Sequence, residues 1–407
     1  MSLNSIYVPK SGLLAETKLT TLFETVEYNG KKMLRSARQS NAENDVHQRT
    51  ILEPGAQAPA FSVSKDSPKV RFTLKKADIG GVVRKITVQL PLTASGSTVG
   101  YFGRAIKNIE IKLPGNQKIL TLNALPLAVL NTMDVSDDGL VRNATVKGYG
   151  AAWAYYTLST TEVIFYIDIT GALANLNLNM NCLNGDVIVE FCFANYTEFI
   201  SQATALTLAV GSDFKLLVDW DQVDDAQNSI TMEAYTKGLD MGYLEYVELP
   251  VKTVAGVTEL KTKMDLSIGL TAGLIVALAS STVNVGEVAF DYYGATKFRI
   301  TDSKGQTIGM TNGDQYTYGN MYWNEHFNMF PSSFCFKKNV YVIPLKCRNM
   351  AEIMKTGGYQ GGYPADGFEM INIKSSSADA DSLIVYQIKY KTLHIQSGQF
   401  VVNEDSM

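Results

Sequence analysis

The segment LSIGLTAGLIVALASSTV, residues 266 to 283, contains no charged side chain and is compatible with two different folds. Its length suits a transmembrane helix, since about 20 apolar residues cross a bilayer. Gly269 and Gly273 also have the small-xxx-small spacing by which membrane helices pack. The same segment alternates, with apolar side chains at every even position from Leu266 to Leu278 and mostly small ones at odd positions. This period of two is typical of a strand with one buried face, so the rest of the chain has to decide.

The composition of the 407-residue chain is that of a globular protein long enough for about two domains. Its formal net charge of −4 argues against nucleic acid as the main partner, and we expect no sequence-specific nucleic-acid binding. The first 30 residues lack the apolar core and cleavage site of a signal peptide. Four cysteines are too far apart for a zinc motif or a dense disulfide framework, which indicates folding in a reducing cytosol.

Alternating segments rich in Val, Ile, Phe and Tyr recur along the chain, bounded by clusters of Gly, Asn, Asp and Ser. Their ranges are 70–74, 85–90, 108–113, 163–169, 186–193, 214–220, 243–251, 297–301, 339–345, 368–373 and 382–395. Helical periodicity is scarce, and we expect an amphipathic helix over 13–27 and short helical turns at 123–132 and 348–355. The pattern predicts an all-β protein of sandwich or barrel architecture that occurs twice at this length.

A weak internal repeat supports the doubling. Ile86, Val88 and Leu90 recur as Leu274, Val276 and Leu278, 188 positions later. A second set of matches pairs Ile109 and Ile111 with Phe298 and Ile300. In the first copy the matching segment carries Lys85 and Gln89, and a charged residue is costly in a bilayer span. We therefore expect 274–280 to be a buried strand of a second sandwich, with a membrane helix as the alternative.

Five segments carry a resemblance to a known family. They are KITVQLPLTASGSTVGYFGRAIKNIEIKLPGNQKI (85–119), DVIVEFCFAN (186–195), ATKFRITDSKG (295–305), FKKNVYVIPLKCRN (336–349) and SLIVYQIKYKT (382–392). With two successive β domains and an N-terminal arm, the chain resembles the double jelly-roll major capsid proteins of tailless icosahedral viruses with an internal membrane, of the tectivirus and corticovirus type. The similarity runs over about residues 68–395 as a pattern of strands, without an invariant motif.

The resemblance implies two tandem eight-stranded jelly-roll β-barrels, at 67–237 and 238–396. An N-terminal arm with an amphipathic helix (1–66) would precede them and a tail (397–407) would follow. It implies a structural protein rather than an enzyme, without a cofactor. Three chains would form a pseudo-hexagonal capsomer of an icosahedral virus, such as a bacteriophage, over an internal lipid membrane.

The same resemblance implies the partners and the location. The partners are further copies of the chain, minor capsid and vertex proteins, and the surface of the viral membrane. The location is the virion, after synthesis in the host cytoplasm.

The arm supplies candidates for contact with the membrane or the inner face of a shell. One face of the predicted helix combines Leu19, Leu22, Phe23 and Val26. The basic candidates are Lys31, Lys32, Arg35 and Arg38. Amphipathicity with basic residues suits an anionic membrane surface, while a solvated helix on a neighbouring barrel is the alternative. The polar stretch 36–68 predicts an extended arm that orders on assembly.

The most aromatic segment of the chain, 313–330, supplies candidates for subunit contact. They are Tyr316, Tyr318, Tyr322, Trp323 and Phe327. Aromatic side chains are enriched at protein interfaces because they bury a large area and still hydrogen-bond at one end. A tip that recognises a host and a loop folded over its own barrel are the alternatives.

Sequence motifs for catalysis or metal binding are missing. The three histidines have no metal-ligand spacing, and no GxSxG or Walker sequence occurs. DVSDDG (134–139) begins like a calcium loop, but Thr145 stands where a bidentate Glu is needed. DWDQVDD (219–225) lacks the glycine of such a loop, and we expect solvated turns at both places.

Two rival functions stay open at this stage. One is a two-domain β-sandwich adhesin or carbohydrate-binding surface protein. The other is a glycan-cleaving enzyme, which would need two carboxylates that converge in a groove.

Overall fold

The structure is a computed structural model, and the described residues form a series of short ranges. They are 23–28, 31–36, 46–55, 69–100, 102–115, 119–132, 146–147, 153, 156–170, 178–194, 208–210, 213–222, 225–250, 252–253, 259–279, 295–308, 340–347, 350, 353–354, 361–365, 367, 369–375 and 382–401.

Strands dominate these ranges. In chain order they are β1 (Phe23–Tyr28), β2 (Lys31–Ser36), β3 (Val46–Leu52), β4 (Lys69–Leu74), β5 (Val82–Ala94), β6 (Thr98–Gly100), β7 (Ile106–Lys112), β8 (Ile119–Asn123), β9 (Val146–Lys147), β10 (Tyr156–Leu158), β11 (Val163–Asp168), β12 (Val187–Phe193), β13 (Leu208–Val210), β14 (Lys215–Gln222), β15 (Leu239–Glu248), β16 (Lys252–Thr253), β17 (Glu259–Met264), β18 (Gly269–Ala279), β19 (Ala295–Thr301), β20 (Val340–Pro344), β21 (Tyr363–Ala365), β22 (Glu369–Ser375), β23 (Ser382–Gln396) and β24 (Gln399–Val401). The helices are α1 (Ala124–Thr132) and α2 (Asp225–Lys237), with 3-10 turns at Phe102–Ala105 and Met180–Cys182. All eleven segments predicted as strands contain a strand, and α1 confirms the helical turn predicted at 123–132.

Strand periodicity accounts for the way these elements pack. In β11, Val163, Phe165 and Ile167 are buried, while the residues between them are half-buried. Because successive side chains of a strand point to opposite faces, this alternation gives the strand one face in a core and one toward the outside.

The first half of the chain forms a jelly roll. One sheet has the order β3-β14-β5-β11, with β9 beside β11 and β13 beside β5, and the other has the order β4-β12-β7-β8. Counted along the chain, the eight principal strands are therefore arranged as 1-8-3-6 and 2-7-4-5. This is the strand order of an eight-stranded jelly roll with two Greek keys.

The second half repeats that order. Its sheets run β15-β23-β18-β20 and β17-β22-β19, so seven described strands take the places of their counterparts in the first half. Strand β18 occupies the position of β5 and β19 that of β7, as the internal repeat predicts. Among the described strands, no sheet combines principal strands from the two halves. The chain therefore folds as two tandem jelly rolls, here called the first and second barrel.

Strand β18, from the segment quoted first, is buried on both faces. Leu274, Val276 and Leu278 lie between the two sheets of the second barrel. Ile275 and Ala277 lie in a different apolar cluster on the opposite face of the strand. The predicted strand is confirmed, but the single buried face is wrong, because the odd positions meet a second apolar layer instead of water. In the part of the chain that the structure describes, no helix is long and apolar enough to span a membrane.

The N-terminal region departs from the predicted helix at 13–27. Residues 13–22 lie outside the described ranges, but from Phe23 onward the chain forms the hairpin β1–β2, with Phe23 opposite Ser36 and Tyr28 opposite Lys31. The dipeptide between the strands is Asn29-Gly30, the strongest short signal for a two-residue hairpin. The last five residues of the predicted helix, 23–27, therefore lie in a strand, and the helix over 13–22 stays a prediction.

Two further strands lie outside the predicted bounds of the barrels. Strand β3 falls in the stretch expected to be an extended arm, yet it pairs along its whole length with β14. Strand β24 falls in the predicted tail and pairs with β23. Each of the two barrels therefore includes a strand that the sequence placed in a flanking segment.

Helix α2 was not predicted. Among the side chains of this helix that the structure describes, the buried ones are Thr231, Ala234 and Tyr235, at positions i, i+3 and i+4 of one helix face. These three residue types give only a weak apolar signal in the sequence. Helix α2 follows β14 and precedes β15, so it connects the two barrels.

Candidate assembly surfaces

The residues predicted to contact a membrane or a second subunit fall mostly outside the described ranges. This applies to Tyr316, Tyr318, Tyr322, Trp323 and Phe327, and also to Leu19, Leu22 and Arg38. Phe23 and Val26 lie in β1, and Lys31, Lys32 and Arg35 lie in β2. The contact roles of all these residues stay predictions.

The solvated turn expected at 219–225 is wrong for 219–222, which lie in strand β14 and whose described carboxylates form ion pairs. Residues 134–139 lie outside the described ranges. The Arg49 guanidinium donates to both carboxylate oxygens of Asp219, from Nε at 2.6 Å and from Nη2 at 2.9 Å. Arg84 donates to Asp221, whose side chain is almost fully buried. Within the described residues, no group of three or more His, Cys, Asp or Glu side chains is placed to hold a metal ion.

The apolar core of the first barrel extends onto one sheet of the second barrel, which also has a core of its own. A single buried cluster contains residues from both sheets of the first barrel and from β15, β18, β20 and β23 of the second. Phe72, Phe191 and Phe214 of the first barrel and Tyr386 and Ile388 of the second belong to it. Burial of apolar surface in this cluster contributes about 25 cal/mol per Å2, so each barrel stabilises the other.

A polar contact borders this apolar cluster. The side-chain amide of Asn123, at the end of β8, donates to Glu248 Oε2 at 2.7 Å and to the Tyr386 hydroxyl at 3.4 Å. Asn123 belongs to the first barrel, and its two partners belong to β15 and β23 of the second. The contact therefore joins the two barrels at the border of the apolar cluster.

Strand β24 of the second barrel and the turn before it make backbone hydrogen bonds with the first barrel. The Phe400 N–H donates to Pro114 O at 2.8 Å, and the Asn184 N–H donates to Gly398 O at 2.8 Å. The Phe400 side chain is fully buried. Gly398 has a φ of +71°, and a Cβ there would lie 2.7 Å from Cys182 O, so only glycine fits this approach.

An ionic network covers the outward face of the sheet β4-β12-β7. Its centre is the Glu190 carboxylate, which is only 8% exposed and lies 3.1 Å from Lys112 Nζ, 3.3 Å from Lys69 Nζ and 3.4 Å from Arg71 Nη2. Burial raises the pKa of Glu190, but the hydrogen bonds and charges of Lys112 and Lys69 outweigh it, so the pKa lies below its ordinary value. Glu110 adds a second carboxylate 3.7 Å from Lys69.

We expect Glu190→Gln to lower the free energy of unfolding at pH 7 by about 1–2 kcal/mol. The substitution removes a buried carboxylate that accepts hydrogen bonds from charged donors. The effect is limited because the three cations are partly exposed and water screens their charges. The native pKa is depressed, so this contribution is present above the ordinary carboxyl pKa and disappears as the pH falls through the native value. Urea unfolding at a series of pH values from 7 to 3 should show the difference from wild type shrinking. Asp186→Asn, an equal charge change at an exposed side chain, serves as the control. A difference independent of pH would contradict the assignment.

Sequence reasoning missed Phe400, Gly398, Asn123 and Glu190. Lys112 and Glu190 are 78 residues apart in the sequence, and Asn123 and Tyr386 are 263 residues apart, so no local pattern marks these contacts. The dipeptide Ser397-Gly398 was a usable turn signal, which would have placed β24 back against β23.

Comparison with solved structures identifies the fold. The chain matches PBCV-1 VP54, as fitted into a reconstruction of the virophage Sputnik, with a TM-score of 0.60 and 13% identity over 88% of this chain and 97% of that one. It matches the Faustovirus major capsid protein with a TM-score of 0.55 and 9% identity over 86% and 91% of the two chains. The mavirus major capsid protein gives a TM-score of 0.50 and 12% identity over 87% and 89%. The predicted double jelly-roll fold is thereby confirmed.

Comparison of sequences adds no family. No protein-family model matches the chain, and no curated protein matches it. The likeness therefore lies in the fold alone.

Proposed function

We propose that the chain is a viral major capsid protein, three copies of which form a pseudo-hexagonal capsomer of an icosahedral shell. The observation that carries the proposal is the repetition of one jelly roll within a chain whose two barrels pack on each other through an apolar cluster. Three such chains around a threefold axis present six similar barrels, and closed symmetry of this kind is the usual way in which identical chains assemble. A hexagonal outline then allows capsomers to tile a surface.

The predicted partners and location become part of the same proposal. The aromatic residues Tyr316, Tyr318, Tyr322, Trp323 and Phe327 contact the next subunit of the capsomer. The N-terminal segment faces an internal membrane, and minor capsid and vertex proteins complete the shell. The chain is made in the host cytoplasm and resides in the virion, without sequence-specific contact with the genome.

The capsomer is tested by light scattering on the purified full chain, with negative-stain images of the same fraction. We expect a particle of three times the 44.6 kDa chain mass with a hexagonal outline. A stable monomer at all concentrations would contradict the proposal. Binding of such a monomer to a glycan array would favour the adhesin instead.

The membrane contact is tested by co-sedimentation of the full chain with vesicles that contain anionic lipid. We expect Lys31→Glu/Lys32→Glu/Arg35→Glu to weaken binding by at least about tenfold, because each basic residue near an anionic surface contributes about 1 kcal/mol. The control is a triple charge reversal at Lys75, Lys76 and Lys107, exposed residues of the first barrel. Equal binding of the two variants would contradict the predicted role of the basic residues.

A further inference from the structure

The contact between the two barrels uses a different surface from each of them. The first barrel contributes the turn after β7, residues 113–115, where Pro114 O accepts the Phe400 N–H at 2.8 Å. The second barrel contributes strand β24 and the outward row Glu248–Tyr386–Ile275, which Asn123 meets through Glu248 and Tyr386. Because the two surfaces differ, the contact is heterologous, and a heterologous contact can be repeated head to tail.

The counterpart of the first surface is exposed in the second barrel. Strand β19 takes the place of β7, and the turn that follows it, residues 302–306, is here called the open turn. Gly115 and Gly305 mark equivalent points of the two turns, with φ of +72° and +76°. A Cβ at Gly115 would lie 2.6 Å from Gln399 Cβ, whereas among the described residues no atom lies within 4 Å of a Cβ at Gly305. The exposed residues of the open turn are Ser303, Lys304, Gly305 and Gln306.

The open turn keeps its shape through its own hydrogen bonds. The Asp302 carboxylate accepts the Lys304 N–H at 2.9 Å and the Gln306 N–H at 2.8 Å, and the Gly305 N–H donates to Asp302 O at 3.0 Å. Lys304 O stands at the place of Pro114 O, and no described residue donates a hydrogen bond to it. The second barrel therefore presents, in a preorganised form, the backbone acceptor that binds β24 in the first barrel.

The counterpart of the second surface lies on the outward face of the first barrel. Thr87 corresponds to Ile275, because the residues on either side of them match in the internal repeat. Strand register then makes Ile51–Leu217–Thr87 the counterpart of the row Glu248–Tyr386–Ile275. In the second barrel this row meets the first barrel, whereas in the first barrel Ile51 is 55% exposed and Leu217 is half-buried.

Helix α2 adds another exposed apolar side chain to this part of the first barrel. It follows β14, the last strand of the first barrel, at the place where β24 follows β23 in the second. Met232 on this helix is 47% exposed, so that Ile51 and Met232 are two of the three large apolar side chains exposed in the described part of the chain. Single exposed apolar residues are normal, but these two belong to the elements that correspond to the contact surface of the second barrel.

We propose that the first barrel of one copy docks, through β3, β14 and α2, on the open turn of the second barrel of another copy. The contact within the chain joins the same two kinds of surface, and each copy exposes one further surface of each kind. Repeated head to tail, such a contact closes into a ring when the rotation between copies allows it. The inference rests on the proposed function, since it names the contact between the copies of one capsomer. In the described part of the first barrel β24 has no counterpart strand, so we expect the contact between copies to be weaker than the contact within a chain.

Photochemical cross-linking of the full-length protein locates the partner of the open turn. The photoreactive residue p-benzoylphenylalanine replaces Ser303, the protein is irradiated, and the covalent dimers and trimers are separated under denaturing conditions. We expect mass spectrometry to find position 303 linked to peptides of β3, β14 or α2 in another copy. The control carries the same photoreactive residue in place of Thr161, an exposed residue before β11, and we expect no link to these three elements.

Sedimentation velocity over a range of concentrations tests the other side of the contact. We expect Ile51→Glu and Met232→Glu each to raise the dissociation constant of the capsomer at least about tenfold, because a carboxylate would be taken out of water at the contact. Ile268→Glu is the matched control, since Ile268 is the third exposed large apolar side chain and lies before β18, outside both surfaces. We expect its dissociation constant to stay close to that of wild type. Circular dichroism and the thermal midpoint report on the fold, and a Gln variant replaces any Glu variant that unfolds.

The outcomes separate this inference from the proposed function. Capsomers that form but link position 303 to other parts of the chain, or to no second copy, would overturn the inference and leave the capsid proposal intact. Equal dissociation constants for the two variants and the control would do the same. Failure of wild type to form capsomers would overturn both.

Discussion

Phe400→Ala is expected to lower the free energy of unfolding by about 3–5 kcal/mol, the range for removal of a fully buried phenylalanine. The side chain lies in the cluster that contains residues of both barrels, and its N–H is bonded to Pro114 of the first barrel. Truncation leaves a cavity at the contact of β24 with the first barrel. Neighbouring backbone held by hydrogen bonds closes such a cavity only in part.

Chemical denaturation of the purified protein measures this effect, with the fluorescence of the three tryptophans as the signal. Ile51→Ala is the matched control, because Ile51 is a large apolar side chain that is 55% exposed, and we expect its removal to change stability by less than about 1 kcal/mol. A loss for Phe400→Ala as small as that of the control would show that β24 is not an integral part of the fold. Separate unfolding transitions of the two barrels in the variant would show that β24 couples them.

Gly273→Ala is expected to lower the free energy of unfolding by about 3 kcal/mol, at the upper end of the cost of overpacking. A Cβ at this position would lie 2.5 Å from Ile343 O and 2.9 Å from Met350 Sδ. Met350 could move, but the carbonyl belongs to β20, which is paired with β18 at this point. Relief of the clash therefore requires the two strands to separate.

Gly55→Ala is the control, since the nearest atom to its added Cβ would be Arg71 O at 3.5 Å, an ordinary contact. We expect a change of less than about 1 kcal/mol there. Thermal and chemical unfolding of both variants give the comparison. Equal stability of Gly273→Ala and wild type would mean that β18 and β20 are not paired at this register.

The segment around Gly273 shows which features of the fold can be predicted from the sequence and which cannot. The alternation of apolar residues located β18 in the sequence. The internal repeat predicted that β18 takes the same place in the second barrel as β5 takes in the first. Both signals depend on the period of a strand. The small odd positions were ambiguous: Gly269 and Gly273 satisfy a helix-packing motif equally well. Glycine is favoured at position 269 by a φ of +137° and at position 273 by the close approach of β20. Both requirements arise only in the folded chain.

The candidate surfaces were less predictable than the fold. The ionic network around Glu190 joins strands that contribute Lys69, Lys112 and Glu190, and Lys69 is more than 100 residues away from Glu190, so no sequence window contains it. At the N-terminus the Asn29-Gly30 turn signal was passed over in favour of a helical period, although strands 23–28 and 31–36 lie on either side of that dipeptide. In both cases the sequence shows the type of each residue, but it does not show which residues lie next to it in the folded chain.

The late position of β14 in the sequence delays completion of its sheet while the chain is being synthesised. It lies between β3 and β5, and its Asp219 is 170 residues away from Arg49 on β3. At a translation rate of 5–20 residues per second, roughly 10–30 s pass after β3 leaves the ribosome before its partner exists. During that interval β3 and one edge of β5 have unpaired backbone groups, the kind of edge that invites pairing with another nascent chain. Nascent copies on adjacent ribosomes therefore present the same unpaired edges to one another until β14 has been made.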